Sequence, residues 1–186
     1  MIWNSAYYWG IPAKVLHWVA AILVAVLFVH GNIWLDDWDE RGLAGRGALA
    51  WHAAAGMTLA VVMLGRLLWR FVNRTPMMPA ATPDWEKRAA HWAHAALYAV
   101  TFVVALTGWL STAAVRPPMP SRVLWLFEIA APAFDGGKLV RELHELAADM
   151  LIVLAAAHAL AALWHHFVKR DSVLRRMLMR GRVRQR

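Results

Sequence analysis

Four stretches of this chain, at about 11–29, 48–71, 89–115 and 143–168, are apolar for long enough to cross a lipid bilayer. A hydrocarbon core of roughly 30 Å takes about 20 residues of helix at a rise of about 1.5 Å each. Backbone groups in hydrocarbon must find their hydrogen bonds within the protein, so each stretch is expected to be a helix. The sequence therefore predicts an all-α fold, an integral membrane four-helix bundle, as a single domain over residues 1–186. Composition agrees: 60% of residues are hydrophobic, only 17% are charged and 12 are tryptophan. Many of the tryptophans (Trp9, Trp34, Trp51, Trp69, Trp92, Trp109, Trp164) sit near the ends of these stretches, where interfacial belts form.

The net charge of +8 could point to nucleic acid, but its distribution argues for lipid. Eight of the twenty Lys and Arg residues follow Val168, in a basic tail over 169–186 that suits an anionic leaflet. No nucleic-acid partner is expected. Counting Lys and Arg in the connections gives 14 on the side of the two termini against 6 on the other. By the positive-inside rule both termini are cytoplasmic. The first apolar stretch runs on from Lys14 without a small-residue cleavage pattern, so it reads as a retained span. The absence of cysteine excludes covalent c-type haem, thiolate clusters, Cys-based zinc sites and disulfides. Within the long connection 116–142, the segment 122–134 (RVLWLFEIAAPAF) is apolar but too short to span, which suggests an interfacial or half-buried helix.

Histidine spacing carries the chemistry. His144 and His158 stand about four helical turns apart in the last span. The fourteen steps between them return a side chain to within about 40° of its starting face and climb roughly 21 Å. One helix can thus present an imidazole near each membrane face, as axial ligands of two embedded haems would require. His17 lies early in a span entering from the side of the termini, and His52 begins a span entering from the other side. Matching depth pairs His17 with His158 for an inner haem and His52 with His144 for an outer haem. Each pair would make a bis-histidine haem b. Ala148, Ala155, Ala162 and Gly56 supply small side chains where a flat macrocycle could approach.

Arg66 follows His52 by the same fourteen steps, so it shares that face at the depth of the inner haem. It is either a contact for a haem propionate or a positive anchor at a helix end. His91 and His94 open the third span at the depth of the inner haem. They suit either a quinone oxygen or a plain interfacial role. His30 is expected at the outer boundary, and His165 and His166 are expected to contact headgroups.

Several motifs in order are similar to the prokaryotic cytochrome b561 family. These are LHW in the first span, WHAAAG and GRLLWR in the second, AHWAH opening the third, and LHE with LAAAHALAALWHHF and KRDSVLRRML in the fourth and beyond. The resemblance covers nearly the whole chain. It implies a multi-pass protein of the bacterial inner (cytoplasmic) membrane carrying two haem b groups, with His17, His52, His144 and His158 at the family's ligand positions. It further implies an oxidoreductase like the superoxide oxidases, taking electrons from superoxide outside and passing them to ubiquinone. A different reading makes the chain a membrane anchor that relays electrons from a partner hydrogenase or periplasmic dehydrogenase. A histidine-using transporter is a third reading, but Asp149 is the only carboxylate well inside a span. The charge on the outer side bears on the donor. Residues 31–50 carry two arginines against four acids, and 115–145 four basic groups against four acids. An anionic substrate favours a positive surface, which a local patch of Arg116, Arg122, Lys138 and Arg141 could provide.

Overall fold

A computed structural model describes residues 1–35, 42–115, 119–132 and 137–178. The acidic stretch 36–40 and Arg116 lie outside them. Four long helices make up the bundle: α1 (Ile11–Trp34), α2 (Gly42–Val72), α3 (Asp84–Ser111) and α4 (Gly137–Phe167). All four are long and apolar enough to cross a membrane. Local chemistry sets their starts. Pro12 stands in the first turn of α1, where its missing N–H costs nothing. α3 begins behind Pro83 with Asp84 and Glu86 in its first turn, which suits the positive end of the helix dipole.

The core lies where α1, α2 and α3 meet. Ala20 and Leu27 of α1 pack with Ala55, Leu59 and Met63 of α2, flanked by Leu23, Val24, Val62, Tyr98 and Phe102. α4 lies along α3 over most of its length and touches α1 at few points. Away from these seams the helices present leucine, valine and isoleucine outward. In a bilayer that surface meets lipid and needs no further cover.

At the end holding the termini, the chain before α1, the α2–α3 connection and the chain after α4 are knitted together. The Asn4 amide donates to the Arg74 carbonyl at 2.9 Å, and the Met77 N–H to the Ala6 carbonyl at 2.8 Å. A one-turn helix, α5 (Val173–Met177), folds back beneath α1. There Lys14 Nζ donates to the Leu178 carbonyl at 3.0 Å and Trp18 Nε1 to the Met177 carbonyl at 2.9 Å. The start of the basic tail is thus a strap across this end.

The opposite end overturns one expectation. Residues 122–134 contain no helix among those described. Strand β1 (Ser121–Val123) pairs antiparallel with β2 (Phe127–Ile129), in register Ser121 with Ile129, Arg122 with Glu128 and Val123 with Phe127. Leu124 and Trp125 turn the chain with φ of 51° and 57°, and the Leu126 N–H donates to the Val123 carbonyl at 3.0 Å. Pro120 before and Pro132 after leave too short a run for a stable helix, whereas a hairpin closes within it. β1 packs on α2, and the buried Ser121 hydroxyl meets the hydroxyl of the buried Thr112 at 3.5 Å.

Candidate haem sites

The two depth-matched pairs meet. His17 of α1 and His158 of α4 have ring centres 6.2 Å apart and planes at 84°. His52 of α2 and His144 of α4 also stand at 6.2 Å and 84°. Two imidazoles ligating one metal from opposite faces bring their centres to about 6 Å. Each nitrogen lies about 2.0 Å from the metal and about 1.1 Å from its own ring centre. The same separation recurs at two levels of α4, about four turns apart.

The second contacts of His144 are built by α3. Its Nδ1 lies 2.9 Å from the Val104 carbonyl, with the Thr107 hydroxyl at 3.4 Å. A carbonyl only accepts, so Nδ1 carries the proton and Nε2 is left with its lone pair for a metal. Gly108 makes this approach possible. A Cβ there would stand 2.8 Å from His144 Cε1 and 3.0 Å from Nδ1. Periodicity identifies neither Val104 nor Gly108, because the contact joins two helices. A glycine inside a long apolar helix is the only available signal.

Nδ1 of His17 and of His52 is buried with no hydrogen-bond partner among the described residues. Nothing lies within 4 Å of a Cβ placed on Gly56, one turn from His52, so no protein atom crowds that face of α2. With four imidazoles in two cross-helix pairs and no thiol, the donor set fits two six-coordinate iron porphyrins.

Around the inner pair the structure adds charge and a third imidazole. The Arg66 guanidinium sits 5.6 Å over the Tyr98 ring, with no carboxylate at ion-pair distance among the described residues. It is close enough to His17, His94 and His158 for its charge to act on all three. The His94 ring centre is 5.2 Å from that of His158. His91 is not drawn in: it is exposed and stands edge-on to Trp92.

Two other histidines have neighbours that spacing does not report. His30, near the hairpin-side end of α1, has its ring 5.6 Å from His52 and 4.7 Å from Trp51. His165 meets carboxylates instead of facing headgroups. At the hairpin end three basic groups are paired: Arg122 with Glu128 at 2.9 Å, Arg141 with Glu145 at 2.9 Å, and Lys138 with Glu142 at 3.8 Å. Acids thus lie against the three described members of the expected patch, and its fourth, Arg116, is outside the described residues.

Residues 8–180 match the sequence profile of the prokaryotic cytochrome b561 family. The chain is 30% identical over 185 residues to cytochrome b561 homolog 2 of Escherichia coli K12, covering 94% of this chain and 93% of that protein. It is 24% identical over 181 residues to a probable superoxide oxidase CybB of Yersinia pestis, covering 90% and 93%. It is also 24% identical over 213 residues to a probable Ni/Fe-hydrogenase B-type cytochrome subunit of Rhodobacter capsulatus, covering 94% and 80%. The chain belongs to the prokaryotic cytochrome b561 family, multi-pass membrane proteins that use b-type haem for electron transfer.

Proposed function

We propose that the chain holds two haems b, one between His17 and His158 and one between His52 and His144. It passes electrons from a donor at the hairpin end to ubiquinone at the terminal end. The observation that carries this reading is the repeated 6.2 Å pair, in which one helix gives a ligand at each of two depths. With 14 of 20 Lys and Arg on the side of the termini, that end faces the cytoplasm of a bacterial inner membrane.

When bound, each haem supplies a one-electron iron couple, and the chain tunes and positions it. The Val104 carbonyl holds the His144 imidazole in one tautomer and orientation. Arg66 offers a charge-assisted contact to an inner propionate. His94, beside His158, donates a hydrogen bond to a quinone oxygen, with His91 one turn nearer the membrane surface. Superoxide is the proposed donor, in line with the name of the Yersinia pestis relative.

One observation favours a second reading for the donor. Ion pairing at Arg122, Lys138 and Arg141 weakens the positive field that would collect a small anion. A protein donor docking on the hairpin end needs no such field, and the Rhodobacter capsulatus relative is named as a hydrogenase subunit.

Pyridine haemochrome analysis of the purified protein is expected to give two haems b per chain. His144→Ala should remove the outer haem alone and His158→Ala the inner alone. Loss of both from either change, in a protein that still folds, refutes the pairing. Stopped-flow reduction by superoxide, compared with reduction by candidate dehydrogenases, decides the donor.

A further inference from the structure

We propose that Glu86, His165 and Asp171 form the proton entry to the acceptor site at the terminal end. This proposal rests on the reading that a quinone is reduced there. A quinone taken to its quinol by two electrons also takes two protons. The electrons arrive through the bundle from the donor, and the protons must come from water on the side of the termini.

The cluster joins the first turn of α3 to the last turn of α4 and the turn that follows. His165 Nδ1 meets Asp171 Oδ2 at 2.5 Å, and its Nε2 faces Glu86 Oε2 at 3.8 Å. Glu86 Oε1 also pairs with Lys169. The side chains of Glu86, His165 and Asp171 are only 12%, 13% and 18% exposed, so the group is largely withdrawn from water. Glu86 Oε2 is buried and accepts no hydrogen bond from a described residue. An imidazole with a carboxylate at each nitrogen can take a proton on one side and release it from the other.

The helices aim this relay inward. His165 lies seven residues after His158, hence within about 20° of its face and roughly 10 Å along the axis. Glu86 lies eight residues before His94, roughly 12 Å along α3. The Glu86–His165 and His94–His158 contacts are therefore successive rungs of one α3–α4 interface. Midway between them stand Ala90 on α3 and Ala162 on α4, both half-buried. These small side chains mark the stretch of the α3–α4 interface that a proton would have to cross between the two contacts.

Among the described residues the charged and titratable groups around His165 are Glu86 from α3 (its neighbour Lys87 pairs with Asp84), then Lys169, Arg170 and Asp171, with Arg175 on the Asp171 carbonyl and His166 alongside.

The test uses the haem-loaded protein in lipid nanodiscs, reduced and mixed by stopped flow with a short-chain benzoquinone or with ferricyanide, which takes no proton. Glu86→Gln and His165→Gln should slow reoxidation by the benzoquinone roughly tenfold or more at pH 8 and less at pH 6. Ferricyanide reoxidation and haem spectra should stay within twofold of the parent. Glu86→Asp, which keeps a carboxyl, should recover the parent pH profile, a result that a mere clamp between helices does not require. If His165→Gln fails to retain haem, the Glu86 pair of variants decides. Benzoquinone rates within twofold of the parent across pH 6–9 overturn the relay and leave the quinone reading standing. A parent protein that ferricyanide oxidises and benzoquinone does not overturns both.

Discussion

Replacing Gly108 by alanine tests the outer site through a residue that ligates nothing. A Cβ at this position falls 2.8 Å from His144 Cε1 and 3.0 Å from Nδ1, where ordinary contact begins near 3.4 Å. The imidazole must withdraw by about half an ångström, and its 2.9 Å bond to the Val104 carbonyl is the first thing lost. Stranding a buried donor costs about 1–3 kcal/mol. That corresponds to about 5- to 150-fold in affinity for a metal held through the same ring, bracketing the roughly 10- to 100-fold typical when partners of metal ligands are removed. In a plain helix interior the same change stabilises by about 0.5–1 kcal/mol, so a loss cannot come from helix propensity. Haem content and low-temperature EPR of purified Gly108→Ala should therefore show the outer haem depleted or its axial field altered, with the inner haem untouched. Gly47→Ala, where a Cβ meets nothing within 4 Å, is the control and should be neutral. Two haems with parental spectra in Gly108→Ala would refute the placement of His144 against α3.

Three further outcomes are expected. Leu124 and Trp125 adopt a left-handed backbone that costs roughly 1–2 kcal/mol each. Leu124→Asn combined with Trp125→Gly, the residues this turn favours, should raise the melting temperature by a few degrees, and a fall would show that the apolar side chains matter more. Glu128→Gln with Glu145→Gln frees Arg122 and Arg141 at less than about 1 kcal/mol of stability. Haem reduction by superoxide should then accelerate at low ionic strength and lose the gain in salt, and a flat response removes electrostatic capture from the mechanism. Lys14→Met with Trp18→Phe deletes both donors that hold the chain at Met177 and Leu178. Tryptic cleavage at Arg175 and Arg176 should speed up in that variant, and unchanged digestion would mean the strap is held elsewhere.

Helix number and the pairing of His17, His52, His144 and His158 can be read from the chain because both follow from one-dimensional arithmetic. Span length is set by bilayer thickness, and a spacing of about four turns fixes face and depth together. The pairs that come together, His17 with His158 and His52 with His144, are those that depth-matching selects. What escapes depends on which helices touch. Val104 and Gly108 matter only because α3 lies along α4, and nothing in either segment alone reports that. The angle between His30 and His17 on their shared helix says nothing of His52, the neighbour that His30 meets on another. The hairpin escapes for a different reason. Its turn uses Leu124 and Trp125 at positive φ, where glycine or asparagine would have announced it. The strap at the other end is hidden by composition, since a run of arginine near a membrane reads as a lipid anchor whether or not part of it folds back.

α1 has little direct grip on α4, while α3 runs along it. On the proposed ligation, the inner iron is the principal tie between the first and last helices of the chain, and the outer iron ties the second to the last. Cofactor insertion is then also a step in assembly. A chain starved of haem should insert all four helices and keep the core of α1, α2 and α3, yet leave α4 held mainly along α3 and exposed to quality-control proteolysis until the porphyrins arrive. Abundance in the membrane would follow haem supply, because the ligand binds only the closed bundle and draws the population toward it.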